Sequence, residues 1–140
     1  MSPLPEAGVY AIAVQVEKHL CIRVGALGHR DFARGTYLYV GSARRRLVAR
    51  VRRHCAPEKV LRWHIDYLTS VASVCFVWAW APEQATECGL AEVLTRHARV
   101  VPGFGASDCA CEGHLFWDEA GDGRRALDGL APLSTWSVEQ

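Results

Sequence analysis

Residues 36–55 read TYLYVGSARRRLVARVRRHC, and within this stretch the apolar pattern changes from that of a strand to that of a helix. The first part alternates side chains in a β-rich composition, which predicts a strand over about 34–40. After Gly41, Leu47, Val51 and Cys55 recur at helical spacing, and Pro57 ends the pattern. The stretch therefore predicts a strand followed at once by a basic helix over about 43–55.

The flanking sequence supplies the other elements of an α+β domain. GVYAIAVQV and LCIRVG repeat the strand pattern, GALGHRDFARG is expected to form turns, and the short run SVASVCFVWAWAP is bounded too sharply for a buried helix. Further strands are expected at about 8–16, 20–25, 70–82 and 114–117, and further helices at about 58–69 and 83–98. This order predicts a small, mostly antiparallel β-sheet flanked by helices. We expect one domain with its core over about 6–117 and a polar tail over 118–140.

The composition indicates a soluble protein of the cytoplasm. The chain has 140 residues, half of them apolar, which is enough for one hydrophobic core and too few for two comfortable domains. It has no uninterrupted apolar run of about 18 residues, and MSPLPEAG lacks the features of a signal peptide. The six cysteines are expected to be reduced, because several lie in apolar segments where a small buried thiol is ordinary.

Positive charge is concentrated in the predicted basic helix. The net charge is only +1, which predicts no partner by itself. Six of the sixteen Lys and Arg residues, however, lie between positions 44 and 53: Arg44, Arg45, Arg46, Arg50, Arg52 and Arg53. Such a patch attracts phosphates, although a solvated arginine face with His54 as a surface neighbour is the alternative. On the helix, Arg50 and His54 lie together at one border of the apolar stripe, where a cleft would begin.

Glu87 has an unusual position in the third predicted helix. It projects from the centre of the apolar stripe formed by Leu90, Ala91, Leu94 and Ala98. A carboxylate facing a core needs a charge partner or a metal ion, or else it takes up a proton. Two interpretations stay open from the pattern alone: a structural ion pair with an arginine, or a metal ligand.

These features together resemble the signature of the GIY-YIG nucleases. The resemblance rests on GVY at 8–10, YVG at 39–41, the pattern S-A-x-x-x-L-x-x-R-x-x-x-H that runs from Ser42 to His54, and Glu87 in E-x-x-L-A. KVLRWHIDYL and PGFGASDCACEGHLF also resemble a narrower branch of that superfamily, a domain of unknown function that is fused in some archaeal members to an endonuclease-III-type glycosylase. The resemblance covers roughly residues 6–117.

The sequence departs from the superfamily pattern at two points. The two tyrosine motifs are normally joined by a short hairpin, whereas here an extra strand and loop predict an extended β-hairpin insertion between Tyr10 and Tyr39. The superfamily also commonly ends its site with an asparagine, and this chain contains no asparagine. Ser107 or Asp108 is the candidate substitute, and a fold that binds without cutting is the alternative.

The resemblance implies a divalent-metal-dependent endonuclease that hydrolyses nucleic-acid phosphodiester bonds, with DNA as the expected substrate. Glu87 would hold Mg²⁺ or Mn²⁺, and Arg50 would grip the phosphate. Of the hydroxyls of Tyr10 and Tyr39, one would activate or orient the water and the other would support the hydration shell of the metal. His54 would accept a proton near neutral pH. The residues expected to hold the nucleic-acid backbone are Arg44, Arg45, Arg46, Arg53 and Lys59. The alternatives are a non-catalytic nucleic-acid-binding module and an accessory protein of a repair or recombination complex. A single strand tyrosine is more often packing than catalysis, so only the combination favours the nuclease.

Two other groups of residues have an open interpretation. Cys109, Cys111 and His114, with Cys88 as a candidate fourth member, have ligand chemistry suited to zinc, but C-x-C-x-x-H is not a standard finger spacing. A tight loop packed by small thiols is the favoured interpretation. His64 and Asp66 are two residues apart on a helix and face different sides, which argues against a catalytic dyad. Lys59, His64 and Asp66 remain candidates to line the cleft.

Overall fold

The central strand of the sheet, β1 (Gly8–Val16), is bonded on both sides by antiparallel neighbours in a computed structural model that describes residues 4–106 and 109–138. The other strands are β2 (Leu20–Arg23), β3 (His29–Phe32), β4 (Gly35–Ala43), β5 (Ser73–Trp80), β6 (Arg99–Val100), β7 (Leu115–Trp117) and β8 (Ser134–Ser137). The helices are α1 (Leu47–Cys55), α2 (His64–Thr69), α3 (Glu87–Thr95) and α4 (Asp122–Asp128). The main sheet has six antiparallel strands in the order β6-β7-β4-β1-β5-β8. The predicted α+β class is confirmed.

The sheet is covered on both faces, which explains why β1 is buried almost throughout. Its side chains alternate between two hydrophobic clusters because neighbouring residues of a strand point to opposite faces. Ile12 and Val14 pack on the side of α1 and α2, whereas Ala11 and Ala13 pack on the side of α3 and α4. The small alanines leave room on the second side for the indoles of Trp78 and Trp80.

The hairpin predicted between the two tyrosine motifs is present as a separate two-stranded sheet, in which β2 pairs with β3. The prediction that GALGHRDFARG forms only turns is therefore wrong in part, because His29–Phe32 is a strand. Its sequence HRDF alternates exposed and less exposed positions, and only Phe32 is fully buried. The insertion leaves the main sheet intact, since β1 and β4 pair in one continuous register from Gly8 with Ala43 to Val16 with Gly35.

The helices begin later than the hydrophobic period predicts. β4 continues to Ala43, and α1 starts only at Leu47, after Arg46 in a left-handed conformation at φ 56°. The Arg46 amide donates to the Glu6 carboxylate at 2.9 Å, a contact distant in sequence that apolar periodicity cannot reveal. α3 starts at Glu87, where the Thr86 side chain accepts a hydrogen bond from the Gly89 amide. Glu87 is thus the first residue of its helix.

The C-terminal segment belongs to the fold, so the expected core boundary at residue 117 is too early. β8 extends the main sheet beside β5, and Leu127 of α4 is completely buried. Two indoles of β5 also form hydrogen bonds with this segment. Trp78 Nε1 donates to the Asp128 carboxylate at 2.7 Å, and Trp80 Nε1 donates to the Leu130 carbonyl at 3.1 Å. Across the described part of the chain, every helix is too short or too polar to cross a bilayer.

Candidate active site

A polar cleft of about 380 Å³ opens where β1 and β4 meet the starts of α2 and α3. Its walls are formed by Tyr10, Tyr39, Gly41, Ser42, Arg50, Arg62, Trp63, His64, Glu87 and Gly105. Four of the five residues predicted as catalytic therefore line one cleft, although they come from β1, β4, α1 and α3. We refer to this cavity below as the cleft.

The Glu87 carboxylate is held from two sides at the N-terminus of α3. Ser42 Oγ donates to Oε1 at 2.8 Å, and His114 Nδ1 lies 2.8 Å from Oε2. Partial burial acts to raise the pKa of Glu87, but hydrogen bonds with His114 and Ser42, together with the charges of His114 and Arg50, bring it below the usual value. The carboxylate is therefore ionised at neutral pH. Its partners are a histidine and a serine, and the arginine ion pair considered from the sequence is not what holds it.

Arg50 presents its guanidinium to the same cleft. Nη1 donates to the Ser42 carbonyl at 2.5 Å, and the guanidinium carbon lies 4.9 Å from the centre of the Trp63 ring. A guanidinium carries five N–H donors, and the bond to the Ser42 carbonyl uses only one of them. The arrangement is suited to gripping an oxyanion opposite Glu87.

The two tyrosines present hydroxyls that stay protonated. Tyr10 is almost fully buried, and its hydroxyl lies 2.6 Å from His54 Nε2. Burial, followed by the neighbouring Tyr39, raises the pKa of Tyr10 well above its usual value. Burial, followed by the charge of Glu87, likewise raises the pKa of Tyr39. Both side chains act as neutral hydrogen-bonding groups at neutral pH and not as phenolate bases.

His54 is behind the cleft and does not line it. The side chain is 1% exposed, and burial, only partly offset by Asp66, lowers its pKa from 6.5 to about 3. Nε2 pairs with Tyr10, while Nδ1 has no hydrogen-bond partner among the described residues. This placement does not fit the expected role as a proton acceptor near neutral pH. The geometry instead assigns His54 to holding the Tyr10 hydroxyl in position.

Two of the five residues predicted to hold the nucleic-acid backbone are used within the fold. Arg53 forms a two-pronged ion pair with Asp66, with N–O distances of 2.7 and 2.8 Å. Lys59 Nζ donates to the His54 carbonyl at 3.1 Å and to Thr69 Oγ1 at 2.8 Å. The prediction for Arg53 and Lys59 is therefore not supported, because their donors already have internal partners.

The remaining three arginines of that prediction are exposed at the start of α1. Arg44, Arg45 and Arg46 all face solvent. Arg45 and Arg46 also line a shallow hollow whose wall includes Arg50 and Trp63, and these two residues line the cleft as well. An arginine-rich surface thus runs continuously from α1 to the cleft.

The sequence analysis missed Arg62 and Trp63 as cleft residues and left His64 open. Asp66 is fully buried, and its Oδ2 accepts from the Arg62 amide at 2.8 Å and from the Trp63 amide at 2.9 Å. His64 lines the cleft and accepts from the Gly105 amide at 2.8 Å through Nδ1. Trp63 is not a capping residue, so only Asp66, an acidic residue in the first turn of α2, matches the pattern of a helix N-terminus.

A second group of side chains lies directly behind Glu87. Cys88, Cys109, Cys111 and His114 have their sulfur and nitrogen atoms within 4.8 Å of one another, and we call them the Cys₃His cluster. Cys109 Sγ is 3.4 Å from His114 Nε2, and all three cysteines are free thiols. The cluster could hold a metal ion. Ser107 and Asp108, the candidate substitutes for an asparagine, lie outside the described residues.

Comparison with known proteins identifies one family. Residues 9–128 match the family model described as Domain of unknown function DUF123. Searches of curated proteins and of solved structures gave no match.

Proposed function

Because the chain belongs to the DUF123 family, whose function is unknown, we propose a function from the cleft itself: this is a GIY-YIG-type endonuclease that hydrolyses phosphodiester bonds, with DNA as its substrate. The proposal assigns the reaction to Glu87 and Arg50, with support from Tyr10 and Tyr39. The arginines at the start of α1 bind the nucleic-acid backbone.

The observation that supports this proposal most is the convergence of four side chains on one cleft. Tyr10, Tyr39, Arg50 and Glu87 are distant in sequence, yet all of them line the same cavity. All four are residues that the sequence predicts as catalytic. The cleft therefore combines the Arg50 guanidinium, the ionised Glu87 carboxylate and the two neutral tyrosine hydroxyls. Such a set suits a reaction in which negative charge develops on phosphate oxygens.

The donor set of the cleft fits Mg²⁺ or Mn²⁺. Hard cations prefer oxygen ligands, and Mg²⁺ is commonly bound through one or two carboxylates while it keeps several waters. Glu87 would hold the ion, since its low pKa keeps the carboxylate charged at neutral pH. When bound, the ion would polarise the phosphate and lower the pKa of a coordinated water.

The side chains of the chain have separate tasks in this proposal. Arg50 binds the non-bridging oxygens of the phosphate and holds it in place for attack from the opposite side. Whichever tautomer His54 takes, its hydrogen bond fixes the Tyr10 hydroxyl, whose remaining bonding capacity orients water in the cleft. Tyr39 contributes a second neutral hydroxyl beside it. Trp63 supports Arg50 from one side through its ring.

A second function is favoured by one feature of the sequence. The chain contains no asparagine, although the superfamily that it resembles commonly ends its site with one. A binding module that retains the arginine surface without turnover would also use Arg45, Arg46 and Trp63. The two functions differ in whether the backbone is cut.

A cleavage assay tests the proposal and separates the two functions. End-labelled single-stranded, duplex and flap DNA is incubated with the protein and Mg²⁺ or Mn²⁺, and EDTA serves as the blank. We expect Glu87→Gln and Arg50→Ala to lower the cleavage rate by about 10²-fold or more, since each removes a charge that acts on the reacting phosphate. Glu92→Gln, an exposed carboxylate on the same helix, should cut like the wild type.

Binding is measured in parallel by fluorescence anisotropy. Glu87→Gln should retain affinity for DNA, whereas Arg50→Ala should weaken it because a phosphate contact is lost. Binding by the wild type without any cutting supports the second function. Equal cutting by wild type, Glu87→Gln and Arg50→Ala refutes the assigned site.

A further inference from the structure

The Cys₃His cluster brings together two parts of the chain that the cleft does not explain. Cys88 is the second residue of α3, whereas Cys109, Cys111 and His114 come from the loop between β6 and β7. The four ligand atoms lie within 4.8 Å of one another, and the pair Cys109 Sγ and His114 Nε2 is separated by 3.4 Å. Three thiols and one imidazole therefore converge on a single point.

This spacing is close to that of a tetrahedral zinc site. Zn–S bonds of about 2.3 Å and Zn–N bonds of about 2.0 Å put sulfurs about 3.8 Å apart and sulfur about 3.5 Å from nitrogen. The observed limit of 4.8 Å requires the cluster to contract by only about 1 Å on binding, by the same bond lengths. We propose that Cys88, Cys109, Cys111 and His114 bind one zinc ion.

The exposure of the thiols argues against the packed-thiol loop that the sequence favoured. Cys88 is exposed, and Cys109 and Cys111 are only partly buried. Small thiols stabilise a loop most when they are fully removed from water, and none of these three is fully buried. Their convergence near the surface is better explained by a ligand that all of them contact.

The histidine has the second contact expected of a zinc ligand. His114 is 1% exposed, its Nε2 faces Cys109, and its Nδ1 lies 2.8 Å from Glu87 Oε2. Metal-binding histidines usually donate their other ring nitrogen to a carboxylate, which fixes the tautomer and the ring orientation. The Glu87 carboxylate lies at ion-pair distance from Nδ1 without hydrogen-bond geometry, and Nε2 already faces the Cys109 sulfur.

The loop that carries three of the ligands is closed by backbone hydrogen bonds near its base. The His114 amide donates to the Phe104 carbonyl at 2.7 Å, and the Gly103 amide donates to the Glu112 carbonyl at 2.6 Å. Phe104 is the buried apolar anchor of this loop. Zinc would add a cross-link from the loop to α3, and closing a long loop through a metal stabilises the folded chain.

Soft thiolate ligands select zinc over Mg²⁺, so this ion is distinct from the one proposed at Glu87. The inference does not depend on nuclease activity, because it is tested by metal content alone. Failure of DNA cleavage would leave it standing, and failure of zinc binding would leave the cleft proposal standing.

The test begins with the untagged 140-residue chain, purified in reducing buffer without chelator. Elemental analysis should give one zinc per chain. X-ray absorption should give three sulfurs at about 2.3 Å and one nitrogen at about 2.0 Å. Replacement by Co²⁺ should produce the strong visible absorption of a tetrahedral thiolate site.

The variants Cys88→Ser and Cys109→Ser should each lose stoichiometric zinc, and His114→Gln should do the same. Cys21→Ser, an exposed cysteine of the β2–β3 hairpin, is the matched control and should retain zinc. Cys88 is exposed, so its serine variant is expected to stay folded, and circular dichroism verifies this. The proposal is overturned if the wild type is purified folded and free of zinc, if the metal is another element, if Cys88→Ser and Cys109→Ser keep full zinc, or if mass spectrometry finds a disulfide within the cluster.

Discussion

Asp66 connects the stability of the fold to the shape of the cleft, and its substitution by asparagine tests that connection. The carboxylate is fully buried and accepts four hydrogen bonds, two from the Arg53 guanidinium and two from the backbone amides of Arg62 and Trp63. Arg62 and Trp63 line the cleft. Asp66→Asn keeps the shape of the side chain but removes its charge and half of its acceptor capacity.

The expected destabilisation follows from the burial of this ion pair. Breaking a buried pair costs about 3–5 kcal/mol because the remaining charge has lost its partner. The Arg53 side chain is 24% exposed, so water reaches it in part and the lower end of that range applies. We therefore expect the free energy of unfolding to fall by about 3 kcal/mol, which corresponds to a fall in Tm of about 10 °C for a domain of this size.

Chemical unfolding in urea measures this change, and Asp31→Asn is the matched control. The Asp31 side chain is 71% exposed and pairs with His19 at the surface, so its loss should change stability by less than about 0.5 kcal/mol. A double-mutant cycle with Arg53→Met should show coupling between Asp66 and Arg53. Additive effects of the two substitutions, or a loss below about 1 kcal/mol for Asp66→Asn, would refute the assigned role.

Three further predictions follow from single contacts. Burial lowers the pKa of His54 from 6.5 to about 3 in the folded chain. The free energy of unfolding is therefore highest above the unfolded pKa and falls as the pH drops from there toward the folded pKa. Unfolding in urea should show a loss of about 1.4 kcal/mol between about pH 7.5 and 5.5, and His54→Gln should lack this loss. A Cβ at Gly41 would lie 2.6 Å from the Tyr10 hydroxyl. Gly41→Ala should therefore displace that hydroxyl and lower the free energy of unfolding by about 1–3 kcal/mol in the same assay. Gly129→Ala should not lower it, because a Cβ there meets nothing closer than 3.5 Å. Chelator competition should show that Glu87→Gln weakens zinc affinity about 10–100-fold while a high zinc concentration still fills the site, because the substitution removes the charged partner of a ligand.

The parts of the fold that could be predicted from the sequence are those with a long apolar period. β1 and α1 have such a period, and β1 was placed at its observed bounds. β3, β6 and β8 are short and partly polar, and their strand structure depends on a neighbour that the local sequence does not specify. The predicted start of α1 is too early, because Arg46 donates its amide to Glu6, a residue 40 positions earlier that the local apolar period does not reveal.

The candidate site shows the same division. Tyr10, Arg50 and Glu87 stand in patterns with recognisable spacing, and the structure brings them to one cleft. Trp63 has no such spacing, and its place in the cleft involves contacts distant in sequence as well as the bond from its amide to the buried Asp66. His54 was predicted to be accessible from its position at the border of a helix stripe, but α2 and Trp63 cover that border, with the His54 and Trp63 ring centres 6.3 Å apart. Burial by a neighbouring element is not visible in one helix's own period.

The two contacts on Glu87 bear on how a single carboxylate could serve as a metal ligand. A glutamate side chain that is free to rotate loses rotamer entropy worth up to about 2 kcal/mol when a metal ion fixes it. With a single protein ligand the binding free energy is small, so this loss would weaken binding noticeably. Ser42 and His114 restrict the carboxylate from both sides in the folded chain, so the loss is taken during folding. The His114 ring is buried, and its other nitrogen, Nε2, faces Cys109 of the Cys₃His cluster. The Cys₃His cluster therefore adjoins the cleft carboxylate through His114, although none of its four members lines the cleft.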